Sequence, residues 1–531
     1  MNETSWQKFQ EYLLYHEELG LQLDISKVTF EQEILDQIET RMQTVYPKIR
    51  ELEGGAIANP DENRMVGHYW LRRPELAPTF KIAQEIKTTV NSIKEFAARV
   101  HQGLLRGEKD KAFENVLVVG IGGSSLGPRF VADALGTAGD KMKLYFLDNT
   151  DPDGMDRIFN QLRGKLDITL TVIISKSGGT VETRNGMEEI RRLYQEQGLE
   201  FPRHAVSITQ SGSQLDRTRT KEGWLKAFPI WDWVGGRTSV LSAVGLLPLA
   251  LQGIDIDLLL AGAGKCDEIT RNEDTKNNPS ALLAAMWYII TGGQGGKQMV
   301  MLPYKDRLEL FSNYLQQLIM ESLGKERDLA GKITKQGIAV LGNKGSTDQH
   351  SYVQQLLDGP DNIFVTFIEV LRDRNLPSPK VAEGSTSGDY LQAFLLGTRK
   401  ALSQKGKDSI TITMTEINEF SIGVLLALFE RAVGIYALLV NINAYHQPAV
   451  ELGKKGAEEV ILLKNKAIAY LHKHEGQKFT VEELAKVLGE EGKVETLFKV
   501  LQHAAHNPDH GIRAEKSNIR ELFGITYSTT G

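Results

Sequence analysis

Two strand–loop–helix segments constrain the fold of this chain more than any other part of its sequence. Val116–Pro128 reads VLVVGIGGSSLGP, and Leu170–Thr183 reads LTVIISKSGGTVET. Each passes from an apolar run into a loop of glycine and hydroxyl residues, and then into the start of a helical pattern. A helix N-terminus exposes unpaired backbone N–H groups and a partial positive charge, so it binds phosphate well. Two such loops in neighbouring units of one sheet predict a phosphorylated small molecule held from two sides.

The alternation of strand-like and helical segments predicts an α/β fold with two lobes. Alternation of this kind is typical of parallel sheets that carry helices on both faces. The strand-like runs of the first lobe are Val116–Val119, Leu144–Leu147, Leu170–Ile174 and Ala205–Ile208. Those of the second lobe are Gln298–Leu302, Gly337–Leu341 and Ile363–Ile368.

The chain is long enough for several domains, and four parts are predicted. Residues 1–110 are expected to be a helical segment that packs on the lobes. The first, phosphate-binding lobe is expected at 111–260 and the second, larger lobe at 261–455. Residues 456–531 are expected to form a C-terminal, mainly helical appendage.

Charge and composition argue against several classes of protein. The formal net charge is −6 and no Lys/Arg-rich run occurs, which argues against nucleic-acid binding. Cys266 is the only cysteine, so no intrachain disulfide or multi-thiolate metal site can form. Ala281–Ile290 is too short to span a membrane, and Gly423–Val440 carries Glu430 and Arg431 at its middle. Both segments are therefore predicted to be buried core helices. The N-terminal residues lack the pattern of a signal peptide, and a cytoplasmic location is expected.

The glycine-rich loops do not match the common nucleotide motifs. From Gly120 or Gly122 the G-x-G-x-x-G pattern is not completed. Asp148 nevertheless ends the next strand, where an acid that binds ribose would lie, so a nicotinamide enzyme remains an alternative. Lys176 precedes its glycines, which excludes the Walker pattern. The hydroxyls, lysine and flexible backbone of SKSGGT favour a phosphosugar, bound either by an enzyme or by a regulator.

Two downstream segments carry chemistry that binding alone does not require. In Val234–Gly245 (VGGRTSVLSAVG), Arg237 follows two glycines that leave room for a ligand. Phe311–Lys325 (FSNYLQQLIMESLGK) predicts an amphipathic helix with Gln317 and Glu321 one turn apart, on the flank of its apolar stripe. A carboxylate at the border of an apolar face is partly desolvated, which suits it to general base catalysis. The inward stripe consists of Phe311, Tyr314, Leu315, Leu318 and Ser322.

Two further segments add a histidine and a lysine. Lys344–Tyr352 (KGSTDQHSY) places His350 in a polar loop after a predicted strand, where α/β enzymes keep their sites. Tyr445–Lys454 (YHQPAVELGK) follows an apolar helix and ends on the lysine. Taken singly, each of these residues also has a plain structural interpretation, as an ion-paired arginine, a solvated glutamate or lysine, or a capping histidine.

Taken together and in order, these segments resemble the glucose-6-phosphate isomerase (phosphoglucose isomerase) family over about residues 115–455. The motifs are GIGGSSLGP, SKSGGT, GGR, MESLGK, the QH loop and YHQPAVELGK. Thr238 stands where the family usually has an aromatic residue, and SKSGGT stands where many members have SKTFTT. The chain is therefore more similar to the bacterial or plastid-type branch, and the plastid stroma is a second expected location if a transit peptide has been removed.

The resemblance implies two doubly wound, flavodoxin-like sugar-isomerase lobes and a reaction without a metal or redox cofactor. That reaction is the reversible conversion of D-glucose 6-phosphate to D-fructose 6-phosphate through a cis-enediol, in glycolysis and gluconeogenesis. By resemblance Glu321 moves the proton between C2 and C1, and Arg237 stabilises the enediolate. His350 and Lys454 open the sugar ring. A non-catalytic phosphosugar-binding regulator remains the alternative.

The resemblance also assigns the groups that hold the substrate and implies the assembly. The substrate-binding residues are expected to be Gly123, Ser124, Ser175, Lys176, Ser177, Thr180, Glu182, Gln317 and Gln447. Among them, Glu182 corresponds to the position that partners the histidine. In this family the histidine reaches the site from the other subunit, so a homodimer with shared active sites is expected.

Overall fold

The computed structural model describes residues 5–516 and 524–530. Its strands, in chain order, are β1 (Leu13–His16), β2 (Leu21–Lys27), β3 (Asn115–Val119), β4 (Lys143–Leu147), β5 (Thr169–Ile174), β6 (Ala205–Thr209), β7 (Lys226–Pro229), β8 (Gln298–Pro303), β9 (Lys325–Arg327), β10 (Ile333–Gln336), β11 (Val340–Leu341), β12 (Ile363–Val370), β13 (Lys380–Ala382), β14 (Ser385–Thr386), β15 (Ser409–Met414), β16 (Ile512–Lys516) and β17 (Ile525–Thr529).

The α-helices, in chain order, are α1 (Ser5–Glu11), α2 (Gln32–Glu53), α3 (Phe80–His101), α4 (Leu126–Leu135), α5 (Pro152–Leu162), α6 (Val181–Glu196), α7 (Gln214–Glu222), α8 (Ala243–Gln252), α9 (Ile256–Ile269), α10 (Pro279–Thr291), α11 (Phe311–Leu315), α12 (Val353–Asp358), α13 (Ser387–Gln404), α14 (Glu419–Leu439), α15 (Pro448–Lys473), α16 (Val481–Leu488) and α17 (Val494–His506). Short 3-10 turns and one π-helix, described with the site, join several of them.

The first sheet has the strand order β4-β3-β5-β6-β7, and every neighbouring pair is parallel. Alternate residues of β3 face opposite layers of helices: Val116 and Val118 lie in the central core, and Leu117 and Val119 lie in the outer one. This period of two follows from strand geometry. The four strands predicted for this lobe are confirmed, whereas β7 is an addition that its short, proline-ended sequence did not reveal.

The second sheet has the order β1-β2-β15-β12-β8-β11. The pairs β15–β12, β12–β8 and β8–β11 are parallel. Strand β2 pairs antiparallel with β15, and β1 pairs antiparallel with β2. The prediction of a mainly helical segment at 1–110 missed these two edge strands. The predicted strand at 337–341 is present only as the two residues of β11.

One hydrophobic core joins the two sheets of the unit 1–446. Val118 and Ile174 reach it from the first sheet, and Met299 and Phe364 reach it from the second. Smaller cores cover the outer face of each sheet. The predicted α/β class with two parallel-sheet lobes is therefore confirmed, with antiparallel edge strands added to the second lobe.

Helix α14 runs through the centre of this core. It is the one helix among the described residues that is long and apolar enough to cross a membrane, and almost all of its residues are buried in the protein interior. It crosses α9 at backbone distance: a Cβ on Gly423 would lie 2.1 Å from the Leu259 carbonyl oxygen, and one on Gly262 would lie 2.0 Å from that of Phe420. The two glycines thus permit a helix crossing that no larger residue allows.

Residues 447–531 form a second compact unit. In its described part α15, α16 and α17 and the antiparallel hairpin β16–β17 enclose a core of their own. That core includes Leu463, Leu471, Leu484, Leu497, Leu501 and Tyr527. The unit begins before residue 456 because α15 runs unbroken through that position, and its hairpin was not predicted. The predicted domain bounds at 110 and 260 stay predictions.

Gly423→Ala should destabilise the fold by about 3 kcal/mol, because the new methyl group meets backbone that cannot move without separating α9 from α14. The measurement is the midpoint of urea unfolding. Gly397→Ala is the matched control, since it lies inside α13 with no atom within 4 Å of the added Cβ. This control should gain about 0.5–1 kcal/mol from reduced freedom of the unfolded chain. Equal midpoints for the two variants would contradict the close-crossing interpretation.

Candidate active site

The two glycine-rich loops meet at the carboxyl ends of β3 and β5, which are paired in parallel. The first loop forms a 3-10 turn over Gly122–Ser124 and then enters α4, and the second leads through Thr180 into α6. Because parallel strands end at the same edge of a sheet, both helix N-termini face one space. The phosphate site predicted between these loops stays a prediction.

Hydroxyl groups hold the second loop in shape. Ser175 accepts a hydrogen bond from the backbone N–H of Gly178 (3.1 Å) and donates one to Thr180 (3.1 Å). Ser177 accepts from the N–H of Gly179 (3.2 Å). These contacts use part of the hydrogen-bonding capacity predicted for a phosphate, and they order the loop before any ligand arrives.

Lys176 ties the second loop to the segment that precedes Arg237. Its Nζ donates to the carbonyl oxygens of Asp232 (2.8 Å) and Val234 (3.0 Å). Burial lowers the pKa of this lysine, and the nearby carboxylate of Asp232 partly opposes that effect. The ammonium group is therefore engaged by backbone carbonyls, a positioning contact that sequence reasoning did not predict.

The first loop packs directly on the GGR segment. A Cβ on Gly123 would lie 1.9 Å from the carbonyl oxygen of Gly236, so only glycine fits at this contact. The hydroxyl of Ser239 also donates to the Gly123 carbonyl (3.4 Å). This contact brings Arg237, in the 3-10 turn Gly236–Thr238, against the phosphate loops.

The guanidinium of Arg237 joins three distant segments. Its Nη2 donates to the carbonyl oxygens of Ala444 (2.8 Å) and His446 (3.2 Å), and its Nη1 lies 3.1 Å from Oε2 of Glu321. The arginine side chain is 5% exposed and the glutamate side chain is 19% exposed. A buried guanidinium beside a carboxylate supplies positive charge where an oxyanion would form.

Glu321 ends a π-helix rather than an α-helix. Helix α11 covers Phe311–Leu315, and the chain then widens into the π-helix Gln316–Glu321. Such turns are rare and occur often at functional sites. Every residue of the predicted inward stripe is buried, so the predicted amphipathicity is confirmed. The half-buried Gln317 amide lies beside Gly122, so the glutamine also faces the first phosphate loop.

Several site residues were not predicted from the sequence. Lys325 is the first residue of β9, just after this helix, and donates to the carbonyl oxygens of Glu321 (2.7 Å) and Ser322 (2.8 Å). Burial lowers its pKa to about 7, a shift that Arg237 increases. The only available signal was its place at the end of the motif MESLGK.

The 443–446 segment is held by residues from the N-terminal part of the chain. The amide of Asn443 donates to the side chains of Asn59 (2.9 Å) and Asp61 (2.6 Å). Nε2 of His446 lies 3.7 Å from Asp61, and burial lowers the pKa of this histidine. No sequence pattern indicated residues 59–61, because their effect is indirect: they fix the backbone of a segment that lies far along the chain.

His350 is exposed on the 3-10 turn Thr347–His350. The buried carboxylate of Asp348 holds this turn by accepting hydrogen bonds from the N–H groups of Asn343 (2.8 Å) and Lys344 (3.1 Å) and from the hydroxyl of Tyr352. Within the described chain His350 has no hydrogen bond to Glu321, so the structure of one chain does not unite these two predicted catalytic residues.

The remaining predicted residues lie on helix termini. Ser124 ends the turn before α4, and Glu182 lies half-buried in the first turn of α6. Gln447 is the N-cap residue of α15, and Lys454 is exposed two turns later in the same helix. These last two belong to the C-terminal unit. Over residues 5–516 and 524–530, no three His, Cys, Asp or Glu side chains cluster as a metal site would require.

A buried ionic network lies behind the helix that leads to Glu321. The guanidinium of Arg72 lies 2.9 Å from Asp267 and 3.0 Å from Glu430, and all three side chains are inaccessible to solvent. The hydroxyl of Tyr314, on α11, donates to Glu430 (3.2 Å). Burial raises the pKa of Glu430 to about 7, although Arg72 opposes the shift. The position of α11 is thus coupled to a carboxyl group that titrates near neutral pH.

Comparison with known proteins assigns this architecture to one family. The profile described as Phosphoglucose isomerase matches residues 24–477. The glucose-6-phosphate isomerase of Desulfitobacterium hafniense (strain Y51) is 64% identical over 512 residues, which cover 96% of each chain. That of Geotalea daltonii is 58% identical over 511 residues, again with 96% of each chain covered. The crystal structure of a glucose-6-phosphate isomerase from Chlamydia trachomatis has a TM-score of 0.78 at 27% identity, covering 86% of this chain and 90% of that one.

The titration of Glu430 should make stability depend on pH. Its folded-state pKa of about 7 lies above the ordinary value of 4.5, so between these values the folded protein keeps a proton that the unfolded chain has released. The stability contributed by this proton is complete below about pH 4.5 and is lost as the pH rises through about 7, by at most about 3 kcal/mol.

The check compares the wild type with Glu430→Gln by urea unfolding at pH 5 and pH 8. The wild type should lose stability relative to the variant as the pH rises, because the amide cannot titrate. A difference between the two proteins that stays constant with pH would contradict the prediction.

Proposed function

This chain belongs to the phosphoglucose isomerase family, and we propose that Glu321 and Arg237 carry out its proton transfer. It is an aldose–ketose isomerase that interconverts D-glucose 6-phosphate and D-fructose 6-phosphate in glycolysis and gluconeogenesis. The relatives do not support the alternative of a non-catalytic phosphosugar-binding regulator. The observation that carries the residue assignment is the ion pair of the buried Arg237 and the half-buried Glu321, 3.1 Å apart beside the glycine-rich loops.

The proposed reaction moves one proton between C2 and C1 of the open-chain sugar. The carboxylate of Glu321 removes the proton from C2 of the aldose, and the electron pair moves to the carbonyl oxygen to form a cis-enediolate. Arg237 stabilises the negative charge on that oxygen, because its guanidinium is fixed by the carbonyls of Ala444 and His446 before the charge develops. A proton passes from the C2 hydroxyl to the C1 oxygen, Glu321 returns its own proton to C1, and the C2 carbonyl of the ketose forms.

The phosphate group is proposed to bind between the two glycine-rich loops. Backbone N–H groups at the starts of α4 and α6 face it, with Gly123 at the point of closest packing. Hydroxyl donors come from Ser124, Ser175, Ser177 and Thr180. Gln317, and Gln447 of the C-terminal unit, are proposed to orient the sugar, while Lys176 acts by fixing the loop.

Ring opening is proposed to need a second acid–base pair, His350 and Lys454. An imidazole changes charge near neutral pH, so it can give and take a proton under physiological conditions. Glu182 is proposed to hold the histidine in its reactive tautomer. The exposed position of His350 on a rigid turn supports its delivery to the site of a second subunit, and we propose a homodimer with shared active sites.

The chain's setting is also a proposal. A single buried cysteine is compatible with the reducing cytoplasm, and relatives from bacteria match nearly the whole chain. The net charge of −6 gives no support for nucleic-acid or anionic membrane binding. The proposed partners are therefore the hexose phosphate and a second copy of the chain, and the proposed steps use only side-chain acids and bases.

Glu321→Gln should lower kcat by about 10²–10⁴-fold, because the amide cannot accept the C2 proton although it fills the same space. The measurement is fructose 6-phosphate conversion to glucose 6-phosphate in a coupled assay with EDTA present. Glu326→Gln, an exposed neighbour in β9, is the matched control and should keep wild-type turnover. Full turnover in Glu321→Gln would assign the proton transfer to another residue, and loss of wild-type turnover in EDTA would contradict the cofactor-free reaction.

Mixing two inactive variants should restore activity if the site is shared. Glu321→Gln and His350→Ala are denatured together and refolded, so that hybrid dimers form. One site of each hybrid then combines Glu321 from one chain with His350 from the other, and about a quarter of the wild-type activity should return. Each variant refolded alone is the control. Recovery no greater than in these controls would contradict a site completed by the second subunit.

A further inference from the structure

Lys325 occupies the point at which the helix carrying Glu321 ends. Its ammonium group donates to the carbonyl oxygens of Glu321 (2.7 Å) and Ser322 (2.8 Å). The last carbonyls of a helix lack partners within the helix, and a cation placed there interacts favourably with the helix dipole. Two hydrogen bonds from one side chain therefore fix the backbone that carries the proposed base.

Capping the end of the helix does not by itself explain why a positively charged side chain is buried at position 325. The residue is 6% exposed, and no described carboxylate lies within 4.0 Å of its Nζ. Burying an ammonium group without a directly paired anion is costly. An uncharged amide would satisfy the same two carbonyls without that cost, so the positive charge itself must act on something nearby.

The groups that face Lys325 identify what the charge acts on. They are Arg237 and Glu321, which form the catalytic pair, together with Asp61 and His446 at the edge of the site. Arg237 and His446 disfavour a further positive charge here, whereas Glu321 and Asp61 favour it. The Glu321 carboxylate thus attracts the ammonium of Lys325 across a poorly solvated space.

We propose that Lys325 is a positioning residue for the isomerisation: its two hydrogen bonds fix the backbone of Glu321, and its ammonium charge acts on the Glu321 carboxylate. The inference rests on the proposed role of Glu321 as the base. Lys325 does not exchange a proton with the sugar in this scheme.

The test separates the charge from the hydrogen bonds with two substitutions. Lys325→Gln keeps donors for the carbonyl oxygens but removes the charge, and Lys325→Arg keeps the charge. The measurement is the pH dependence of kcat/KM for fructose 6-phosphate, in which the substrate phosphate titrates equally for every variant. Lys325→Gln should move the acid limb upward by about 0.5–1 pH unit and lower kcat more than it changes KM. Lys325→Arg should leave that limb in place.

Two further variants keep the test decisive. Lys325→Met has a similar length and volume, and it is used if the glutamine variant fails to fold, as judged by circular dichroism and thermal unfolding. Lys332→Gln removes an exposed lysine from the same hairpin and should leave the profile unchanged.

The outcomes distinguish this inference from the proposed function. A folded Lys325→Gln or Lys325→Met enzyme with the wild-type acid limb overturns the inference while the role of Glu321 stands. A limb displaced equally in Lys325→Arg and Lys325→Gln also overturns it, because charge would then not be the cause. Full turnover in Glu321→Gln instead overturns the proposed base itself.

Discussion

The buried guanidinium of Arg237 is the contact on which the candidate site depends. It contacts Glu321 at the end of a π-helix. It also donates to the carbonyl oxygens of Ala444 and His446, in the segment that follows the apolar helix α14. A charge removed from water must be matched by anions and carbonyls, so these segments cannot separate without leaving an uncompensated cation in the interior. Because the donors of the Arg237 guanidinium lie in one plane, they fix the direction of these contacts as well as their distance. The same interaction therefore positions both the proposed base, Glu321, and the guanidinium of Arg237 that is proposed to stabilise the enediolate.

A second set of buried charged groups connects the helices of the core to the helix that carries Glu321. Arg72 joins Asp267 on α9 to Glu430 on α14, and Glu430 accepts a hydrogen bond from Tyr314 on the helix that leads to Glu321. Buried ion pairs contribute little net stability, because desolvation offsets most of the attraction. Their effect here is on position: the carboxyl and guanidinium groups have few arrangements in which all are paired. The polar layer holds α9, α14 and α11 in one register beneath the site.

Much of the architecture could be predicted from local patterns. Four of the five strands of the first sheet were found because each is an apolar run bounded by glycine or polar residues. The antiparallel strand β2 was missed because LQLDISK contains a buried charge, and Asp24 is paired there by Arg399 of the distant helix α13. The π-helical turn was missed as well, since its apolar stripe has the spacing expected of an α-helix.

The sequence by itself determined the two glycine-rich loops, the apolar stripe beside Glu321 and the motifs that place the chain in its family, because each depends on residues that are neighbours along the chain. Only the tertiary structure decided that Lys176 binds carbonyl oxygens and that Lys325 faces the proposed base. It also decided that the contact between Asp61 and Asn443 holds the segment to which Arg237 donates its hydrogen bonds. These placements arise where distant segments converge in a poorly solvated interior. There the free energy of a charged side chain depends on which partners packing brings within reach, and no local pattern encodes that choice.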